Sequence, residues 1–242
     1  MRGTLDAATG RTARTNLRTA LAVYGGVATV ECIAAYYGSN ALVLVGLILY
    51  PVLSLRLVKR EEWRALGLQW PTSWACVPWG LMASVIWVFT SFYVLGETVG
   101  LTTANFLVIM AKQQTPHVAL GGAPPWWQFP VAAIGFATIS PLTEEVFFRG
   151  LLLRAFEFDF SRLGANAAQA ILFGVIHLPY LWATAFEAAL FVTMVPLIAL
   201  MGLVYGWAAQ RAESVVAAMV VHSGCNLVLI IVVYALVMSR LG

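Results

Sequence analysis

An all-α, polytopic transmembrane helix bundle is the fold class this sequence predicts, and three observations predict it. Of 242 residues, 61% are hydrophobic and only 10% are charged, against about 25% charged in ordinary soluble domains. Apolar runs close to the ~20 residues that cross a bilayer as a helix follow one another along the chain. The charges fall in short segments between those runs, where they set topology. A net charge of +3 spread in this way, with no basic stripe interleaved with aromatics, speaks against a nucleic-acid surface. The expected partner is the lipid bilayer.

Residues 1–18 hold Arg2, Arg11, Arg14 and Arg18 and no short apolar core ending at a small-residue cleavage site. They are expected to form a retained cytoplasmic tail. Spans are expected over about Thr19–Tyr37 and Ala41–Leu57, joined as a hairpin through Gly38-Ser39-Asn40. A second basic segment, Arg56 to Arg64, then returns to the side of the tail, so both basic segments agree on cytoplasmic placement. A third span runs from about Ser73 to Leu95. Leu101–Ala111 is apolar but short and is read as interfacial or re-entrant; were it to cross, the count would rise from seven to eight and the C-terminal half would invert. Trp126-Trp127 suit interfacial anchors, and His117, among turn residues, suits a surface loop.

A fourth span enters at about Phe129, and Arg149, Arg154 and Arg162 follow it as a further positive cluster. Three more apolar helices are expected, over about Ala165–His177, Ala185–Gln210 and Val215–Met238. No repeat, low-complexity tract or second folding unit is visible. The organisation expected is therefore a tail (1–18), a hairpin with third span and loop (19–128), and a membrane core (129–242). Compact size and a bare N-terminus suit a prokaryotic plasma membrane, with the N-terminus cytoplasmic.

One stretch departs from the general avoidance of charge. In Ser140-Pro141-Leu142-Thr143-Glu144-Glu145-Val146-Phe147-Phe148-Arg149-Gly150, Ser140 and Pro141 read as an N-cap and first position of a new helix. That helix sets Glu145 and Arg149 four residues apart, the favourable order for an ion pair. Glu144 lies roughly 100° further round, beyond easy reach of the same arginine. An unpaired carboxylate in a low-dielectric setting is a candidate general base. Glu61-Glu62, by contrast, sit in a solvated basic loop with no histidine near.

Ionisable groups inside membrane helices are costly and are functional candidates by default. Phe173 and His177 share one helix face at i,i+4, and so do His222 and Asn226. With the acidic pair they form a set suited to amide hydrolysis: a carboxylate to take a proton from water, an imidazole to hold that water, and an amide N–H with a second imidazole to donate to an oxyanion. Glu31 and Glu187 lack such companions and are read as structural. Cys32, Cys76 and Cys225 are odd in number and far apart, which suits buried fillers. Cys225 stands beside Asn226, but nothing around it in sequence activates a thiol.

Glu144-Glu145-xxx-Arg149, Phe173-xxx-His177 and His222-xxx-Asn226, in this order on consecutive apolar helices, resemble the signature of the CAAX protease and bacteriocin-processing (CPBP, Abi) family, which includes the Rce1-type prenyl-protein endopeptidases. The resemblance covers Phe129 to Met238; before it, only hydropathy and the segment Trp63 to Leu68 are similar. It implies an intramembrane glutamate endopeptidase that cuts near a terminus of a membrane-associated protein or peptide. Glu144 would activate water, His177 would position it, and His222 and Asn226 would bind the oxyanion. Glu145, Arg149 and Phe173 would support them. No cofactor is implied, although a glutamate and two histidines also form a zinc set, and a zinc-dependent protease stays open as an alternative. A non-catalytic scaffold or immunity protein of the same family is the alternative from another class. A transporter fits less well, because no inverted repeat is visible.

Overall fold

The computed structural model describes residues 6–37, 40–57, 63–64, 66–102, 104–114, 127–179 and 188–237. His117, Trp126, Glu187 and the Glu61-Glu62 pair lie outside the described residues. Within them every regular element is a helix, with no strand. The helices are α1 (Asp6–Tyr36), α2 (Asn40–Leu57), α3 (Cys76–Thr98), α4 (Phe106–Gln114), α5 (Gln128–Asp159), α6 (Arg162–Val175), α7 (Ala188–Ala212) and α8 (Val215–Val237).

Five of the described helical segments are long and apolar enough to cross a membrane: Leu17–Tyr36 of α1, α3, α5, Phe191–Ala212 of α7, and α8. The seven apolar runs read from the sequence map onto α1, α2, α3, α5, α6, α7 and α8. Of the two that are not among the five, α6 has 14 residues, roughly 21 Å at 1.5 Å per residue. The Leu101–Ala111 run becomes α4, nine residues long and about half the thickness of a hydrocarbon core. Phe106, Leu107, Val108, Ile109 and Ala111 are all buried, and α4 packs on the C-terminal end of α8. It is a short helix tucked among longer ones.

The sequence expectation of a new helix at Ser140 is corrected here. α5 runs unbroken through Ser140, which is itself helical (φ −59°, ψ −52°), and no side-chain cap forms there. A proline inside an α-helix lacks a donor and clashes with the carbonyl four residues back. The chain accommodates Pro141 by widening into a π-helical stretch at Gly135–Ile139, where the Ser140 N–H reaches back five residues to Gly135 O. A second π-helical stretch, Val146–Leu152, follows directly after the acidic pair. Such bulges are rare and frequently mark functional sites.

α5 is the central element, packed on α1, α2, α6 and α8. Its buried Phe147 and Phe148 meet Tyr50 of α2 (ring centroids 4.8 and 5.6 Å), and Phe148 meets Phe173 of α6 (5.0 Å). α6 and α7 approach each other through small residues, as membrane helices commonly do. A Cβ on Gly174 would fall 2.6 Å from the Val195 carbonyl oxygen, and one on Gly206 would collide with Asn166.

The segment before α3 closes one end of the bundle. Gly67, at φ +75°, accepts the Val215 N–H at 2.9 Å, and Thr72 donates to Ala212 O through both its N–H and its hydroxyl, each at 3.0 Å. At the same end, Gln210 Nε2 donates to Glu157 Oε1 and to Arg162 O (both 2.8 Å), while Arg162 Nη2 donates to Gln210 O (2.6 Å). The segments carrying Arg64, Arg154 and Arg162 thus share one end, lining a common cavity with Glu157 and Glu213. One-sided basic segments are what the topology reading requires.

The packing makes a testable contrast. Gly174→Ala, which drives a methyl into the Val195 backbone, should lower stability by about 1–3 kcal/mol. Gly25→Ala, on an exposed face with nothing within 4 Å, should be neutral or gain about 0.5–1 kcal/mol. Melting temperatures of the two variants in detergent check both signs.

Candidate active site

Arg149 is the largest fully buried side chain among the described residues. A guanidinium in that position needs its charge balanced and its N–H groups bonded. Nη1 donates to Glu145 Oε1 at 2.8 Å, both side chains being 0% exposed, and Nη2 donates to Gly202 O of α7 at 3.1 Å. Its Cζ lies 4.3 Å from the Phe173 ring centroid and 5.2 Å from that of Tyr205. Aromatic faces at these distances attract a cation. The i,i+4 pair expected from sequence is present, set in the π-helical stretch of α5.

Glu145 has a second partner that the linear sequence does not reveal. His222 Nδ1, from α8, lies 2.7 Å from the same Oε1 that takes Arg149. An ionised carboxylate only accepts, so Nδ1 carries the hydrogen and the ring is held with Nε2 on its far edge. The ring is fixed from the side as well: Tyr205 of α7 stacks on it at 4.3 Å with 17° between planes, and Phe173 meets it edge-on at 5.7 Å. Glu145 therefore ties α5 to α8, and through Arg149 to α7.

Glu144 is 8% exposed and has a different set of neighbours. The Ser140 hydroxyl, one turn back, donates to Glu144 Oε1. Thr143 turns away, donating to backbone carbonyls of its own helix. Glu144 lies within electrostatic reach of His177, as do Arg149 and His222. His177 stands just beyond the last turn of α6, with Nδ1 2.7 Å from Phe173 O and its ring edge-on to Phe173 at 5.1 Å. A carbonyl only accepts, so here too Nδ1 is the N–H and Nε2 is the acceptor nitrogen of the neutral ring.

Asn226 lies one turn beyond His222 on the buried face of α8, and its Nδ2 donates to Phe136 O at 2.8 Å. In π register the donor to Phe136 would be the N–H of residue 141, which is a proline. The amide of Asn226 takes up the carbonyl that Pro141 cannot serve. This hydrogen bond uses one of the two amide hydrogens on Nδ2.

Glu144, Glu145 and Arg149 on α5, Phe173 on α6 with His177 just beyond it, and His222 and Asn226 on α8 are thus carried by neighbouring helices, α6 and α8 both packing on α5. Phe173 touches Arg149 and both histidines, which accounts for an aromatic at that position. Tyr205 and Ser140 belong to the same cluster but were not singled out by sequence. Tyr205 sits in an ordinary apolar run, and Ser140 reads as a cap as long as α5 is taken to begin there. No three of the described histidine, cysteine, aspartate and glutamate side chains are placed to share one metal ion. The zinc set considered above therefore does not fit these residues as they are arranged. Cys225 is buried, with its thiol against Met201 Sδ.

Neither the curated proteins nor the solved structures hold a match to this chain. A family model does match: that of the type II CAAX prenyl endopeptidase Rce1-like family, over residues 125–228, a little under half of the chain. The matched span contains every motif residue from Glu144 to Asn226. The family that the motifs resemble is thus the family whose model this chain matches, the Rce1-like type II CAAX prenyl endopeptidases.

Proposed function

We propose that this protein is an intramembrane endopeptidase in which Glu144 activates water, and that it cuts a peptide bond near a terminus of a membrane-associated protein or peptide. The observation that carries the reading is the unequal treatment of two adjacent glutamates. Glu145 is committed to Arg149 and His222. Glu144 meets a serine hydroxyl and lies within reach of His177. The match to a family of membrane endopeptidases supports it.

In this reading, His177 accepts a hydrogen bond from a water through Nε2 and Glu144 takes that water's proton as the oxygen adds to the scissile carbonyl. The resulting oxyanion takes hydrogen bonds from His222 Nε2, when that ring is protonated, and from the second amide hydrogen of Asn226. Donors held in place before reaction pay no reorganisation cost at the moment charge develops. As the tetrahedral intermediate collapses, the C–N bond breaks and Glu144 returns its proton to the leaving amine. Glu145 and Arg149 take no proton; they fix His222. The end of the bundle bearing the basic segments faces the cytoplasm, in a prokaryotic plasma membrane with the N-terminus inside.

Two outcomes test this. Terminal-peptide mass spectrometry of membrane and secreted proteins should find termini that are present with the wild-type chain and absent with Glu144→Gln at equal expression. The loss in turnover should be on the order of 10²–10⁴-fold; an active Glu144→Gln enzyme would refute the assignment. Tyr205→Phe, which keeps the stacked ring, should retain turnover. Tyr205→Leu, which removes it, should cost up to roughly tenfold, the equivalent of an aromatic pair of about 0.5–1.5 kcal/mol. Kinetics on any substrate found by the first experiment read the difference.

A further inference from the structure

The cavity at the end of the bundle that carries the basic segments takes no part in the chemistry above, and its charges do not balance. It has a volume of about 410 Å³, and Arg64, Arg154 and Arg162 line it together with Glu157 and Glu213. One pair cancels internally, since Arg154 Nη1 donates to Glu157 Oε2 at 2.9 Å. The other oxygen of Glu157 is also occupied, accepting from Gln210 Nε2 at 2.8 Å. Arg162 gives one N–H to the Gln210 carbonyl. Neither it nor Arg64 pairs with a carboxylate among the described residues. Against these two guanidinium groups stands only the exposed Glu213, on the turn between α7 and α8. α6 and α8 both begin at this end, and helix N-termini add partial positive charge. The cavity is left net positive, and arginine is the side chain best shaped to hold a phosphate.

Depth and rim indicate which kind of anion belongs there. α5 and α7 end at the cavity while α3 and α8 begin beside it, and all four are long and apolar enough to cross a membrane. The cavity therefore lies where spans emerge, at the level of lipid headgroups. Apolar side chains stand next in sequence to its lining. Trp70 follows Gln69, Phe158 follows Glu157 and Leu163 follows Arg162, and all three are more than half exposed. Trp74 is exposed too, its ring 6.3 Å from that of Trp70. Tryptophan is enriched at the membrane–water interface. A soluble anion has no use for an apolar rim, whereas a lipid lays its acyl chains along one. We propose that this cavity binds the headgroup of an anionic phospholipid, with Arg64 and Arg162 on the phosphate and the chains against the Trp70, Phe158 and Leu163 side. Basic pockets between membrane helices take such headgroups. In the orientation proposed above the lipid comes from the cytoplasmic leaflet. Its binding is independent of which residue activates water. Because the lipid bridges the segment before α3, the end of α5 and the start of α6, it stabilises the folded chain.

The test is thermal unfolding of the full chain in a neutral detergent, with native mass spectrometry of the same samples to count bound lipid. Phosphatidylglycerol should raise the melting temperature and remain bound as an adduct. Phosphatidylcholine with the same acyl chains, which has no net charge, should do neither, nor should inorganic phosphate, which has no chains. Arg64→Gln should weaken phosphatidylglycerol binding roughly fivefold, the effect of one arginine near an anionic lipid surface. Glu213→Gln removes the opposing carboxylate and should tighten binding by up to about the same factor. Arg211→Gln is the control: Arg211 is exposed at the same end but does not line the cavity, and binding should hardly change. Equal stabilisation by phosphatidylcholine or by inorganic phosphate overturns the lipid assignment. So does wild-type binding in Arg64→Gln, or an equal loss in Arg211→Gln, which marks diffuse attraction between charges. If Arg64→Gln fails to fold, an unchanged affinity in Glu213→Gln overturns the proposal instead.

Discussion

A carboxylate that accepts from two donors at once sits at the centre of this structure. Glu145 Oε1 takes both the Arg149 guanidinium and the His222 imidazole at 2.7–2.8 Å, with the carboxylate and the guanidinium fully buried. Burying such charges costs several kcal/mol per ion unless each is paired and bonded, so the groups have little freedom to separate. α5 brings the acid and the arginine, α8 the histidine, and α7 the Gly202 carbonyl that receives the other arm of Arg149. The helices holding the site are thereby fixed to one another by the site's own supporting charges. The aromatic shell of Phe173 and Tyr205 completes the arrangement and holds the imidazole in plane.

The two irregular stretches of α5 follow from the same demand. A regular helix through Pro141 would leave a clash and an unserved carbonyl. The π-helical turn before it relieves the first, and the Asn226 amide answers the second through Phe136 O. Asn226, proposed above as an oxyanion donor, therefore also has a structural task, and its amide carries a second hydrogen beyond the one that Phe136 O takes. Small residues let α6 and α7 close on the far side, and the Gly67–Thr72 segment laces the N-terminal half to the turn between α7 and α8.

Much of the site was legible in the sequence because helical periodicity is a strict constraint. Glu145 with Arg149, Phe173 with His177, and His222 with Asn226 each stand four residues apart, and each pair shares a face or a contact as that spacing requires. What could not be read was anything set by contacts between helices. The Glu145–His222 bond joins positions 77 residues apart, and Tyr205 looks like any aromatic in an apolar run. Ser140 was misread because a serine before a proline is the ordinary signature of a helix start, and the sequence carries no mark of a π-helical turn that lets the helix continue.

The account stands on a division of labour between two adjacent glutamates, one structural and one chemical, and thermal stability separates them most directly. Melting temperatures of Glu144→Gln and Glu145→Gln, measured side by side in the same detergent, should differ widely. Glu145→Gln leaves Arg149 buried without its counter-charge and should lose about 3–5 kcal/mol, whereas Glu144→Gln should melt close to the wild type. Equal melting temperatures, or an early-melting Glu144→Gln beside a stable Glu145→Gln, would contradict the account.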